Sequence, residues 1–531
     1  MTQIACVPII IHSDTNDALS RWQPKRVKPL QAATGAGVSV VGDVASGVRH
    51  LRRADASGVA GSCSPMACSI FRAAVLLAAS VLRSHAVCIV PDEPFREIRN
   101  ASEQVQSLIQ YFRTGAEKGV THRELAQFAD RFGSRMLGSV QLEKSIDYLV
   151  ERFQLDHFQD VHTEDVLAVR WRRQHEVARL VRPEEHVLHI LGLGGSSGTP
   201  PGGVTAPLDV VKSFAELEMK GVSVNGHIVL YMPEWKGHGN YAGYLLQGTT
   251  KAARLGALGV LFRAPEPLTG TALFAGLTGY EKDAPRIAAA VLTKQDADLL
   301  ARMVDRRQEV IVHLSMDPGE PQQVVSRNII VEWKGTKYPK EYVLLGAHVD
   351  SWDIGQGAAD NAAAVFIIWR ALSALKTLEL RPKRTVRFVV WTAREQGMEG
   401  ATEFFRRYAA DSSNTTMAME LDLAAFAPTG LALSNVRSND TICIVREMLK
   451  EFETIDANGL TRGGGAPELR YWREAGVPVA GFNTAWYYHD DMRHSEADTV
   501  SGIQSQDLDL SASMVAGLVH MLGQMERKLP R

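Results

Sequence analysis

Four apolar runs of strand length, 342–347, 386–392, 416–421 and 479–482, alternate with stretches of helical spacing in the C-terminal two-fifths of the chain. Each run is followed, directly or after a short loop, by a cluster of polar, chemically loaded residues. Alternation of this kind predicts an α/β core, a central mixed sheet flanked by helices. The last helix, predicted over 507–524, carries Leu508, Leu510, Met514, Val515, Leu518, Val519 and Leu522 as a face for the sheet. In open α/β sheets ligands bind outside the carboxyl ends of the strands, so the position of the polar clusters counts for more than any one motif.

The first cluster is Ala347-His348-Val349-Asp350, and ten residues past Asp350 comes Asp360-Asn361, ahead of a small-residue run and an apolar helix. Trp391-Thr392-Ala393-Arg394-Glu395 follows the second run, Glu420-Leu421-Asp422 ends the third, and Arg493-His494-Ser495-Glu496 lies downstream of the fourth. Singly, each has an ordinary structural reading: a helix cap, a surface ion pair or a solvated loop. Together they bring two histidines and three carboxylates to one sheet edge. That donor set, imidazole and hard oxygen without thiolate, suits two zinc ions. A carboxylate two residues beyond a ligating histidine can fix its tautomer, a role that fits Asp350 toward His348.

Upstream, helices are predicted over 102–114, 124–132 and 142–153. A Gly-rich segment, 192–203 (GLGGSSGTPPGG), lacks phosphate-loop spacing and reads as a connector. Residues 205–320 form a block with strands of its own at 227–232, 257–262 and 310–314, closed by Asp317-Pro318-Gly319-Glu320-Pro321. The expected division is therefore 92–204 as the N-terminal part of the main domain, 205–320 as an insertion and 325–531 as the core.

No apolar stretch approaches the ~20 residues a bilayer span needs. The best, 73–82 (AAVLLAASVL), suits a secretory signal over 66–86: Met66 starts it, Arg72 gives the positive region, and Ser84 and Ala86 precede the cut. Arg83 interrupts the run, which leaves a buried core helix as the alternative. A signal works poorly from an internal position, so residues 1–65 are expected to be over-extended or disordered N-terminal sequence. Sequons at Asn100, Asn414 and Asn439 fit a secreted or lysosomal protein. A net charge of −2 gives no basic field for nucleic acid. Four of the five cysteines fall in the first 88 residues, which argues against a disulfide framework and against a cysteine zinc module.

From about Ala101 onward the chain resembles the co-catalytic two-zinc aminopeptidase and glutamate carboxypeptidase superfamily, through GAHVDSWDIGQGAADN, LRPKRTVRFVVWTAREQG and HSEADTV. The resemblance implies a zinc exopeptidase fold with an inserted protease-associated β-rich domain, acting on dipeptides or short peptides, and a homodimer. It also implies that His348 and Asp422 hold one zinc, Glu395 and His494 the other, and Asp360 bridges them. The family pattern has a general-base glutamate immediately before the ligand Glu395, where this chain has Arg394. Guanidinium stays protonated and accepts no hydrogen bond, so it cannot act as a base. Arg394 is expected to swing away or to pair with a nearby acid, Glu399 or Glu420. A zinc-binding pseudoenzyme is then the alternative to an active peptidase. Gly465-Ala466-Pro467-Glu468 also departs from the family's Gly-Thr/Ser-Asp turn, which bears on substrate contacts.

Overall fold

In the computed structural model the chain lays down one edge strand, leaves to build a second sheet, and returns to complete the first. Residues 88–531 are described, apart from 159, 423, 435, 464–466 and 486–490. The signal at 66–86, the segment 1–65 and the pair Gly465-Ala466 lie outside the described residues.

Three helices come first: α1 (Asp92–Arg113), α2 (Val120–Phe132) and α3 (Val140–Leu155). On α1 the buried residues Ile98, Ala101, Val105, Leu108, Ile109 and Phe112 recur at spacings of three and four, giving a single apolar stripe. Strand β1 (Asp160–Arg170) follows and pairs only later with residues 322–332.

The excursion comprises β2 (His175–Arg182), β3 (His186–Leu188), β4 (Ile190–Gly192), β5 (Val204–Val211), α4 (Phe214–Lys220), β6 (Ile228–Tyr231), α5 (His238–Arg254), β7 (Gly259–Arg263), β8 (Ala288–Leu292), α6 (Lys294–Asp305) and β9 (Ile311–Asp317). These strands form one sheet in the order β3-β2-β9-β5-β6-β7-β8-β4, in which β5 to β8 are parallel. Alternation along β6 and β7 sends Ile228, Leu230 and Leu261 into a core with α6, and Val229, Tyr231, Val260 and Phe262 into a core with α4 and α5.

The second sheet therefore starts at His175, thirty residues ahead of the boundary expected at 205. Strands β2 and β4 precede the glycine-rich segment but pair with β9 and β8, which follow it. That segment joins two strands of one sheet; it does not separate two domains.

On its return the chain forms β10 (Gln322–Trp333), β11 (Tyr338–His348), α7 (Ala363–Thr377), β12 (Arg384–Trp391), α8 (Glu399–Tyr408), β13 (Thr415–Glu420), β14 (Pro428–Ser434), α9 (Asn439–Leu449), β15 (Gly459–Arg462), α10 (Arg470–Glu474), β16 (Val479–Thr484) and α11 (Ser505–Gln524). The first sheet runs β1-β10-β12-β11-β13-β16-β14-β15. Its centre, β12-β11-β13-β16, is parallel, and the strands outside it are mixed. Helices α1 to α3, α7 and α11 cover one face. On the other face Phe404 of α8 and Trp472 of α10 meet Ile330, Leu344, Val389 and Trp391. Helix α7 together with the turn before it, Ala358–Thr377, has the length and apolarity of a membrane span, yet 94% of its most apolar window is buried inside the protein, the pattern of a core helix.

Among the described residues one pair of cysteines is bonded, a single cross-link and not a framework. Cys88 is disulfide-bonded to Cys443 on α9, with the Cα atoms 5.2 Å apart and the two cysteines 355 positions apart in sequence. Clustering of cysteines along the chain carries no information about which backbones meet in space.

Candidate metal centre

His348, the last residue of β11, is fully buried. Its Nδ1–H donates to the backbone carbonyl of Asp350 at 2.9 Å, which aims Nε2 at the Asp360 Oδ1, 3.1 Å away, and the Asp422 Oδ1, 3.8 Å away. The carboxylate of Asp350 stands 3.7 Å from Nδ1 and accepts instead from the backbone N–H of Glu395 at 2.9 Å. Asp350 thus orients His348 through its main chain and Glu395 through its side chain, a division of labour the sequence does not reveal.

Asp360 sits in the turn that opens α7, with a cis peptide to Asn361. The backbone N–H groups of Ala359 and Asp360 donate to Asp498 at 2.6 and 3.2 Å. Asn361 donates its amide to the carbonyl of Leu421, tying this turn to the end of β13 and to Asp422. The loop between Asp350 and Asp360 is held from below by Arg135, whose guanidinium donates to the carbonyls of Gly133, Val349, Gln356 and Gly357. Gly355 and Gly357 take positive φ there, and a Cβ on Gly355 would lie 2.7 Å from the carbonyl of Ser495.

His494 also has a positive φ, +56°. Its Nδ1 meets the carbonyl of Ala275 at 2.9 Å, and its own carbonyl accepts from the Ala275 N–H at 2.7 Å. Ala275 belongs to the segment between β7 and β8, so the second sheet reaches across to set one imidazole of the first. Phe274 and Trp352 flank the ring at 5.2 and 5.9 Å between centroids. Beside Glu395, the Gln396 amide clamps the Trp171 backbone in both directions, joining this loop to the strand that leads into the second sheet.

All five donors named from the sequence meet. His348, Asp360 and Asp422 form one group and Asp360, Glu395 and His494 another, with the donor atoms of each group within 4.8 Å of one another. His348 Nε2, Asp360 Oδ1, Glu395 Oε1, Asp422 Oδ1 and His494 Nε2 are each buried without a hydrogen bond among the described residues. A buried lone pair left unpartnered costs about 1–3 kcal/mol, more for a charged group. Three such residues in each of two groups that share Asp360 make a donor set for divalent metal.

The electrostatics agree. Burial opposes protonation of His348, but Asp350, Asp360 and Asp422 outweigh it and hold the imidazole well above its ordinary range. Burial likewise opposes charge on Asp360, yet Arg493, His348 and His494 hold its carboxyl well below the usual range. Burial, then Asp360, pushes the Glu395 carboxyl up. Burial pushes Asp498 up to about 7. The surroundings of His348 favour positive charge, whether a proton or a metal supplies it.

Arg394 lies inside this cluster and pairs with three acids: Nη1 with Glu395 Oε2 at 2.8 Å, Nη2 with Asp422 Oδ2 at 2.9 Å and Nε with Glu468 Oε1 at 2.9 Å. It neither swings away nor pairs with the expected Glu399 or Glu420. Burial opposes its charge, but Asp422, Glu395 and Glu468 overcome that and hold the guanidinium well above its ordinary value. Glu420 is buried against Glu468, and burial first and Glu468 second push its carboxyl well above the usual carboxylate range, which weakens its claim on a guanidinium. Arg493, in a segment singled out only for its histidine, donates Nε to Asp360 Oδ2 at 3.0 Å. Asp498 and Arg493 stood in plain view beside His494; Arg135 and Ala275 carry no sequence signal for their roles.

The model of peptidase family M28 matches residues 328–519. Carboxypeptidase Q of Bos taurus is 34% identical over 435 residues, covering 82% of this chain and 92% of that protein. The Homo sapiens carboxypeptidase Q is 34% identical over 440 residues, covering 83% and 93%. Among solved structures, a peptidase M28 precursor from Shewanella amazonensis SB2B superposes with a TM-score of 0.76 at 26% identity, over 82% of this chain and 99% of that one. A zinc aminopeptidase from Bacillus subtilis shares the fold, with a TM-score of 0.59 at 18% identity over 77% and 96%. With both the fold and the extent of the match accounted for, the chain belongs to peptidase family M28 and is of the carboxypeptidase Q type.

Proposed function

We propose that this chain is a zinc-dependent exopeptidase that cleaves a terminal peptide bond of dipeptides or short peptides, with turnover restricted by Arg394. The observation that carries the reading is the gathering of five buried donor atoms into two groups that share Asp360, none of them hydrogen-bonded among the described residues. His348 and Asp422 would hold one zinc and Glu395 and His494 the other, with Asp360 available to both. When bound, zinc supplies a Lewis acid for the scissile carbonyl and a water of lowered pKa. The protein's part is orientation. Asp350 sets His348 and the Glu395 backbone, Ala275 sets His494, and Asp498 sets the turn that bears Asp360.

The proton of the attacking water needs an acceptor, and Arg394 offers none. Loss of general-base catalysis costs about 10²–10⁴-fold in rate. A second reading, a zinc-binding pseudoenzyme, is favoured by the three ion pairs that fix Arg394 where the base belongs.

Purified protein assayed with zinc against a dipeptide panel, beside Arg394→Glu, decides between them. The variant is expected to gain about 10²–10⁴-fold over a slow wild type. Equal rates would mean that another carboxylate serves as base. Silence from both, at full zinc content by elemental analysis, gives the pseudoenzyme reading the field.

The setting we propose is the secretory or lysosomal space, with a signal removed after Ala86. The Cys88–Cys443 bond supports it, because such bonds persist in oxidising compartments and Cys88 lies just beyond that cut. Asn100 and Asn439 are exposed and open to glycosylation.

A further inference from the structure

The two donor groups differ in what their carboxylates already touch. In the first, His348 Nε2, Asp360 Oδ1 and Asp422 Oδ1 have no hydrogen bond among the described residues, and the guanidinium contacts to Asp360 and Asp422 fall on the opposite oxygens. His348 Nε2 lies as close to Asp360 as His494 Nε2 does, 3.1 Å, but no guanidinium touches the donor oxygens here, so a cation can enter without displacing one. In the second, His494 Nε2 lies 3.2 Å from Asp360 Oδ2 and 3.6 Å from Glu395 Oε1. That Asp360 oxygen already accepts from Arg493 Nε at 3.0 Å, so a cation in the second group must share it with a guanidinium or displace one.

Charge tells the same way. Arg394 and Arg493 between them touch four carboxylates, Asp360, Glu395, Asp422 and Glu468. With Asp350 beside His348 that makes five carboxylates against two guanidiniums, leaving three negative charges, more than one divalent ion neutralises and fewer than two bring. A second such ion would bring uncompensated positive charge into a buried site, where repulsion is weakly screened.

We infer that the two positions are unequal: His348, Asp360 and Asp422 take one divalent cation tightly, while Arg493 and Arg394 stand in for the charge of a second. The inference rests on the metal-centre reading above and sharpens it from two equivalent zinc sites to one strong and one weak. Arg394 then has two effects, removing a base and lowering metal occupancy at the position that Glu395 serves.

The test measures metal, not turnover. Protein dialysed against micromolar zinc is analysed for zinc per chain, and cobalt(II) absorption is followed as equivalents are added. The expected result is one zinc per chain and a cobalt spectrum complete at one equivalent, with the second bound about a hundredfold more weakly. Arg493→Gln and Arg394→Gln each move the zinc content toward two. His348→Ala loses the tight equivalent and His494→Ala keeps it, an assignment that does not depend on the arginine variants folding. Two equivalents of equal affinity in the wild type overturn the inference and leave the metal centre standing. So does a tight equivalent lost with His494 and kept without His348, or arginine variants that fold and still bind one ion. No binding by any of these proteins overturns the metal-centre reading itself.

Discussion

Both sheets set four parallel strands side by side between helices, yet their strand ends do different things. In the first, β11 ends in His348, while Glu395 and Asp422 follow β12 and β13 within a few residues, all sent to one place with lone pairs unspent. In the second, the polar residues at the same ends are used up locally. Ser213 caps α4 by accepting from the Glu216 N–H, Thr293 caps α6 by accepting from the Asp296 N–H, and Arg263 pairs with Asp298 and Glu266. A parallel sheet offers an opening at its carboxyl edge. A site appears only where several buried donors are left without partners, a cost that fold stability alone does not justify.

The sharpest way to break this comparison is Asp360→Ala. It removes the donor common to both groups and is expected to abolish zinc binding, read by elemental analysis. Thr293→Ala, at the start of a helix in the second sheet, is expected to leave metal content unchanged. Retention of zinc by the Asp360 variant would mean that the two sheet edges do not differ in the way described.

Next in size is Arg135→Met. Four loop carbonyls lose their donor at a fully buried position, so unfolding free energy is expected to fall by about 3–5 kcal/mol in denaturant titration. A loss under ~1 kcal/mol would show that the loop bearing the site holds itself.

Acid sensitivity should belong to the first sheet's covering helices. Burial pushes His520 on α11 down to about 4, below the ~6.5 of an exposed imidazole. With the folded value depressed, the neutral ring contributes fully above pH ~6.5, and that contribution drains away as pH falls toward 4, up to ~3 kcal/mol in all. Asp498, raised by burial to about 7, works in the opposite sense. The difference between wild type and His520→Gln, measured as thermal midpoints across that range, isolates the histidine. Parallel curves would remove His520 as the cause.

The smallest effect tests the second sheet alone. Thr293→Val deletes the cap that accepts from Asp296 N–H and is expected to cost about 1 kcal/mol. A cost of several kcal/mol would mean that this end carries more than a cap.

Sequence exposed the parallel centre of the first sheet, because central strands buried on both faces read as apolar runs with few alternatives, while β1, β10, β14 and β15 went unread. The start of the second sheet stayed hidden. Strand β2, HEVARLVR, is polar at many positions and finds its partner β9 only after more than a hundred residues, so nothing local marks it. The five donors were legible because strand ends and spacing concentrate them, with the resemblance supplying their pairing. The partners of Arg394 were not. Glu468 lies 74 residues away, and Glu420, nearer in sequence, has its carboxyl pushed up by burial and by Glu468. Asp350 shows the same limit at short range: the sequence placed its carboxylate near His348, and the backbone turned it toward Glu395.

The bond between Cys88 and Cys443 makes the described chain a lasso. The loop of the lasso contains the whole second sheet and His348, Asp360, Glu395 and Asp422; its tail, from residue 444, brings His494. Any single backbone cut between residues 88 and 443 therefore releases no fragment. In surroundings rich in proteases, a nicked molecule would keep its pieces tethered and its donors in reach of one another.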